Sequence, residues 1–321
     1  MSENTKIEWA THTQNFWEGC QKTGPGCDNC YAEARNARFA GGVAINWGPG
    51  APRRRTSTAN WAKPLAWNAN HEAFFAAHGY RQRVFCSSLA DVFDNAVDPV
   101  WRDDMFTVIA NTPNLDWLLL TKRIGNAATM LPWMPGYTGP DGQRTKNAWR
   151  NVWLGATIVN QEEADRDIPK LLATPAHKRF LSMEPLLGPV DIPMFYAPQH
   201  GARIEDGAQS PKIDWAIVGG ESGPGARPMH PDWARDVRDL CEAVGVPFLF
   251  KQWGEHDLSY DRDRDDPDYR RCDAEARKPG RWINLAGGHG FNGERVHYAR
   301  KVGKKAAGRM LDGRTWDGVP A

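Results

Sequence analysis

Cys20-Gln-Lys-Thr-Gly-Pro-Gly-Cys27-Asp-Asn-Cys30-Tyr31 places three cysteines within eleven residues. Ordinary packing has no use for thiols at that density. The Gly24-Pro25-Gly26 turn folds the first cysteine back toward the Cys27/Cys30 pair, so the spacing predicts three thiolates converging on one soft-metal centre. A structural zinc site is usually closed by a fourth Cys or His at recognisable spacing, whereas an iron-sulfur cube held by three thiolates keeps one iron open for a substrate or cofactor. His12 and His230 are the candidates for a fourth zinc ligand. Neither belongs to an H-x3-H or H-x-E pattern, and a loop hydrogen bond is the ordinary role of each.

Outward from this loop, short apolar runs alternate with helical stretches. Strands are predicted at Gln14–Trp17, Arg83–Ser87, Trp117–Thr121, Val152–Ala156, Lys178–Met183, Trp215–Gly219 and Pro247–Phe250. Between them Asp98–Ile109, Gln161–Leu172 and Asp232–Val244 carry apolar residues at helical spacing behind polar or proline starts. Repeated βα units predict an α/β fold with a mostly parallel sheet, a partial or complete (β/α) barrel over residues 1–254. Residues 255–321 read as a C-terminal extension with a basic tail. Gly41–Pro64 and Pro132–Arg150 are Gly/Pro/Trp-rich insertions longer than a normal βα connection, and loops of that length are usually functional covers or disordered.

The motif and its companions resemble a known superfamily. C-x6-C-x2-C after the aromatic stretch Asn15-Phe-Trp-Glu-Gly19, with Tyr31 directly following, resembles the radical S-adenosylmethionine (radical SAM) proteins, whose usual spacing is C-x3-C-x2-C. Thr5-Lys6-Ile7-Glu8-Trp9, Pro25-Gly26-Cys27, Cys30-Tyr31-Ala32-Glu33, Ser182-Met-Glu184-Pro185-Leu-Leu-Gly188, Val218-Gly-Gly-Glu221-Ser-Gly223 and Lys251-Gln252-Trp253-Gly254 resemble a phage and prophage branch of such three-cysteine proteins, and Lys304 to Trp316 is similar to that branch's basic tail. The resemblance implies a barrel of the radical SAM type, a 4Fe-4S cluster on Cys20, Cys27 and Cys30, and S-adenosyl-L-methionine chelated to the open iron. It implies an enzyme acting on a modified thymidine in phage DNA as an isomerase of an amino-acid adduct. An electron donor such as a flavodoxin or ferredoxin is expected with it.

In a (β/α) barrel the polar residues at the C-terminal strand ends share one mouth, which turns strand ends into candidate sites. Ser87, Ser88 and Asp91 follow the second strand, where the resemblance implies groups that hold the amino end of the cofactor; the alternative for Asp91 is a helix cap. Tyr31 is a candidate for stacking on adenine and Thr157 for the ribose hydroxyls. Glu184 is presented in a stiff turn before Pro185. Gly219 and Gly220 let backbone approach a ligand closely, and Glu221 is placed to read an amine or hydroxyl. Lys122 and Arg123 are candidates for a carboxylate or phosphate, and Lys251 and Gln252 for substrate.

The whole chain carries a net charge of only +1, so it exerts no general pull on nucleic acid. Local charge from Arg53, Arg54, Arg55, Lys122, Arg123, Lys304, Lys305 and Arg309 is expected to supply the DNA contact. Of six cysteines, Cys86, Cys241 and Cys272 read as small buried hydrophobes. No signal-peptide pattern and no long apolar run is visible, which predicts a reduced cytoplasmic protein, in the host cytoplasm if phage-encoded, with no membrane contact. Fifteen tryptophans, among them Trp47, Trp61, Trp67, Trp133 and Trp149 in polar segments, read mainly as core and loop packing. Two other functions fit the residues: a radical SAM lyase repairing a thymine photoproduct, and a zinc-stabilised nucleic-acid-binding module without catalysis.

Overall fold

The computed structural model describes residues 3–132, 149–192, 212–262, 279–288 and 295–321. Most of the insertion expected at Pro132–Arg150, part of the extension after 262, Trp133 and Cys272 lie outside the described residues.

The strands are β1 (His12–Gln14), β2 (Trp17–Glu18), β3 (Arg54–Arg55), β4 (Arg83–Cys86), β5 (Asp116–Thr121), β6 (Val152–Thr157), β7 (Lys178–Met183), β8 (Trp215–Gly219), β9 (Phe248–Gln252), β10 (His256–Arg262), β11 (Arg281–Ile283) and β12 (Val296–Lys301). Seven of them form one sheet in the order β1-β4-β5-β6-β7-β8-β9. A parallel sheet that follows chain order, with β1 and β9 as its ends, is a partial (β/α) barrel and the expected α/β class. The helices are α1 (Tyr31–Phe39), α2 (Thr58–Ala69), α3 (His71–His78), α4 (Pro99–Ala110), α5 (Ile124–Met130), α6 (Gln161–Ala173), α7 (Pro231–Val244) and the short α8 (Lys304–Ala307). The helices expected from spacing are α4, α6 and α7.

The chain divides into two compact units: Met1–Gly24 with Cys30–Thr157 and Pro169–Phe180, and Pro25–Asn29 with Ile158–Ile168 and Leu181–Ala321. In the first, β4, β5 and β6 are apolar runs with few exposed positions, as strands covered on both faces require. β6 carries a glycine at 155 because a Cβ there would lie 2.3 Å from the Phe180 ring. Trp9 packs on Phe85 at 4.6 Å and Phe16 on Trp61 at 4.6 Å. Asp98 caps α4 by accepting from Val100 N at 2.9 Å ahead of Pro99, a cap worth about 1 kcal/mol.

The expected strand Gln14–Trp17 is two pieces. β1 pairs with β4 and stops at Gln14, while Trp17–Glu18 pairs antiparallel with Arg54–Arg55. The break lies at Asn15, whose side chain donates to Ser88 Oγ (2.9 Å) and accepts from Leu89 N (2.7 Å). The neighbouring Phe16 and Trp17 are fully buried.

In the second unit α7 starts at His230-Pro231 and ends at Gly245, whose φ of 71° gives a left-handed cap. Its buried face includes Trp233 and Val237. Residues near the C-terminus run along β9: Phe250 N donates to Trp316 O at 3.0 Å and Gly318 N to Phe248 O at 2.9 Å. A second sheet has the order β10-β12-β11. Among the described residues no helix is long and apolar enough to cross a membrane.

Candidate functional site

In the first unit the loop that follows β5 reaches Cys20. Its sulfur accepts from Arg123 Nη1 at 3.4 Å, and the same guanidinium donates through Nη2 to Gln21 O at 2.8 Å. Asp91 holds Arg123 from the other side. Its Oδ1 accepts from Phe93 N (3.0 Å) and Thr121 Oγ1 (2.7 Å), and its Oδ2 from Lys122 N (3.0 Å) and Arg123 Nη1 (3.1 Å). All four acceptor positions of the carboxylate are filled. Expected at the amino end of a cofactor, Asp91 is committed to the β5 end.

The charge row continues inward. Asp94 Oδ1 lies 4.0 Å from Arg123 Nε, and Asp94 Oδ2 accepts from Arg53 Nε at 2.7 Å. The Arg53 side chain is 1% exposed and also donates to Ala51 O at 2.8 Å. That geometry gives Arg53 a structural bond where a DNA-facing role was expected. Arg54, the most exposed of the triplet, pairs with Glu18, and Arg55 pairs with Asp104 at 2.6 Å while lying 4.3 Å over the Trp61 ring. Burial pushes the Cys20 thiol up to about 11; Arg123 opposes that shift and Asp91 adds to it.

Gly19 precedes Cys20 at a φ of 115°, and a Cβ there would sit 2.6 Å from Asn46 O. No side chain fits that approach. Cys30 is the N-cap residue of α1. Tyr31, 60% exposed, donates its hydroxyl to Ser88 O at 2.5 Å. Ser87 is buried beside Cys86 Sγ at 3.3 Å. Lys122 Nζ donates to Thr157 Oγ1 at 3.2 Å.

In the second unit the turn Pro25–Cys27 carries the buried thiol of Cys27. Arg227 Nη2 donates to Pro25 O at 2.8 Å and Nη1 to Asp28 Oδ2 at 3.0 Å. Asn29 Nδ2 donates to Glu221 Oε2 at 3.0 Å and to Gly225 O at 2.9 Å. Glu221 closes the clamp by accepting from Arg227 N and Nε, both at 2.8 Å, and from Nη2 at 2.6 Å. Burial pushes its carboxyl up, but the bonds from Arg227 and Asn29 outweigh that and hold it below the ordinary range. Glu221, expected to read a ligand amine or hydroxyl, grips the cysteine turn.

The glycines before it serve close approach. A Cβ on Gly220 would lie 2.1 Å from Trp253 O, and one on Gly219 would lie 2.6 Å from Glu184 Oε1. Lys251 Nζ pairs with Glu184 at 3.1 Å. Gln252 Nε2 donates to Ser222 Oγ at 2.8 Å. Its Oε1 is buried with no hydrogen-bond partner among the described residues.

Asn29, Asp28 and Arg227 were not singled out from the sequence. Arg227 lies six positions after Glu221, and the proximity of an arginine to a glycine-rich strand end was the available signal. His230 groups with Asp232 and His297, their ligand atoms lying within 4.8 Å of one another. The Asp232 carboxylate already takes Arg235 at 2.9 Å and Arg295 at 3.0 Å, and His230 Nδ1 accepts from Asp232 N at 3.2 Å. Two guanidinium groups already balance that carboxylate. His12 stacks on Trp67 at 4.2 Å and bonds Gln82 Oε1 at 2.9 Å. Cys86 and Cys241 are fully buried, as expected of small hydrophobes.

No curated protein matches the chain significantly. Two solved structures of spore photoproduct lyase mutants are similar. One, with bound AdoMet and dinucleoside spore photoproduct, is 11% identical with a TM-score of 0.35, covering 91% of this chain and 69% of that one. The other, with dinucleoside spore photoproduct, is 11% identical with a TM-score of 0.31, covering 89% and 67%. A likeness at that level carries no argument about activity. The family model described as "Protein of unknown function (DUF5131)" matches residues 4–320, so the chain belongs to that family.

Proposed function

We propose that the chain is a radical SAM enzyme in which Cys20, Cys27 and Cys30 hold a 4Fe-4S cluster and S-adenosyl-L-methionine binds the iron they leave open. The observation that carries this reading is a set of three cysteines within eleven residues whose segment is built for rigidity: Arg123 grips Cys20, and Glu221 with Arg227 grips the turn of Cys27. Three soft donors and no fourth at motif spacing suit a cluster with one open position. The guanidinium beside Cys20 suits a centre whose ligands are anionic.

When bound, the cluster supplies the electron that cleaves the sulfonium bond of S-adenosyl-L-methionine, giving a 5′-deoxyadenosyl radical that abstracts hydrogen from an unactivated carbon. The protein's own residues bind and orient. Ser87, Ser88, Tyr31, Thr157 and Glu184 are assigned to the cofactor, while Gly219 and Gly220 are taken up by the close approach of Glu184 and Trp253. Lys122, Lys251 and Gln252 are assigned to the substrate, Gln252 because its buried Oε1 needs a donor.

The proposed substrate is a modified thymidine in phage DNA, and the reaction moves an amino-acid adduct from nitrogen to carbon attachment. Arg54, Arg55, Lys304 and Lys305 are the side chains proposed to meet its backbone. A duplex base must be flipped to enter, at a cost of a few kcal/mol. A flavodoxin or ferredoxin is the proposed electron donor.

Purified anaerobically and reconstituted with iron and sulfide, the chain should carry close to one 4Fe-4S cluster and convert S-adenosyl-L-methionine to 5′-deoxyadenosine. Cys20→Ala, Cys27→Ala and Cys30→Ala should each abolish both. Stoichiometric zinc without iron overturns the reading. Incubation with adduct-bearing DNA and, separately, with photoproduct DNA assigns the reaction: a carbon-linked isomer supports the isomerase, and restored thymines overturn it in favour of a lyase.

A further inference from the structure

We infer that Arg123 is a positioning residue for the cluster, fixing the Cys20 sulfur and raising the reduction potential of the metal centre that this sulfur ligates. The inference rests on the cluster reading above and adds a tuning residue to it. One guanidinium reaches both the sulfur (3.4 Å) and the carbonyl of the next residue (2.8 Å), so Cys20 is held at two points by one rigid plane. That plane is oriented from behind by Asp91 at 3.1 Å, and Asp91 is itself locked by Thr121 Oγ1 and two backbone amides. The side chains of Arg123 and Asp91 are 8% and 6% exposed, so solvent screens their charges little.

One-electron reduction, with dithionite as the electron source, adds one negative charge to the cluster and neither forms nor breaks a bond. A fixed cation bonded to a ligating sulfur stabilises the reduced form, since hydrogen bonds to the sulfurs and local charge set such potentials. Asp91 and Asp94 oppose that effect from farther back, and the guanidinium stands in direct contact with the sulfur.

The test is a dithionite titration of reconstituted protein followed by EPR, with iron quantified for each variant. Arg123→Gln should lower the reduction equilibrium constant at least tenfold, about 59 mV for one electron. Arg123→Lys should recover most of that loss because the charge returns. Asp91→Asn should shift the potential the opposite way, because it removes a negative charge. A merely structural role would disturb all three variants alike and in one direction. Full iron in Arg123→Gln with an unchanged potential overturns the inference, and so does Arg123→Lys behaving like Arg123→Gln. If Arg123→Gln holds no iron, the signs of the Arg123→Lys and Asp91→Asn shifts decide. A wild-type chain that takes up no iron fails the cluster reading itself, and the inference falls with it.

Discussion

Glu221→Gln keeps the shape of the side chain and removes the charge that organises the Cys27 turn. Four bonds reach this carboxylate, from Asn29 Nδ2 at 3.0 Å and from Arg227 N, Nε and Nη2 at 2.8, 2.8 and 2.6 Å. Breaking a buried ion pair by removing one partner costs about 3–5 kcal/mol. Arg227 is 29% exposed and retains Asp28, so the loss expected here is about 2–3 kcal/mol. The sign of its pH dependence follows from the lowered pKa. Stabilisation is present above the unfolded value of 4.5 and disappears as pH falls through the lower folded value. Urea denaturation of wild type and Glu221→Gln should therefore differ most at neutral pH and converge in acid. Iron loading should fall in the variant, since the turn bearing Cys27 loses its anchor. A loss under about 0.5 kcal/mol at pH 7, the range of an ordinary surface substitution, with unchanged iron loading, refutes the clamp.

Gly19→Ala should lower the melting temperature, because the left-handed φ and the 2.6 Å approach to Asn46 O together cost about 1–3 kcal/mol or more. Arg53→Ala should cost about 3 kcal/mol in urea denaturation, because buried Asp94 loses its 2.7 Å partner and keeps Arg123 only at 4.0 Å, whereas Arg54→Ala should leave stability within about 0.5 kcal/mol. Replacing Arg54 and Arg55 together should flatten the salt dependence of DNA binding by about one unit of log-log slope for each lost phosphate contact. An unchanged slope removes those two residues from the substrate contact. His297 is held at about 4, first by burial and then by His230 and the nearby guanidinium groups. Its unfolded value is 6.5, so the unfolded chain binds the proton first and stability should rise between pH 4 and 6.5. The His297 contribution is on the order of 3 kcal/mol, and in His297→Asn the rise seen in thermal melts across the window should shrink, leaving the smaller part due to His12 and His256, whose pKa values burial also lowers.

The sheet was legible because β4 to β9 are short apolar runs with polar or glycine boundaries, and a buried parallel strand leaves that local trace. Asn15 shows where local reading ends. Nothing in Gln14–Trp17 announces that one asparagine bonds the loop after β4 and breaks the run, because its partners are more than seventy residues away. The cysteine triplet was visible as spacing, and its supports were not. Asn29 meets Glu221 across 192 residues and Arg123 meets Cys20 across 103; bonds of that range have no periodicity to read. Strand-end reasoning located Asp91 and Glu221, and bonding capacity then decided what each is free to do.

The segment Trp316–Gly318 lies along β9 and makes two backbone bonds with it, at one end of the seven-stranded order. Cleavage at the exposed Gly313–Arg314 stretch would strip that cover and leave a row of unsatisfied amides and carbonyls on an apolar strand. Such an edge recruits strands from other molecules. Proteolytic nicking there would announce itself first as concentration-dependent precipitation, with the cysteine segment still intact.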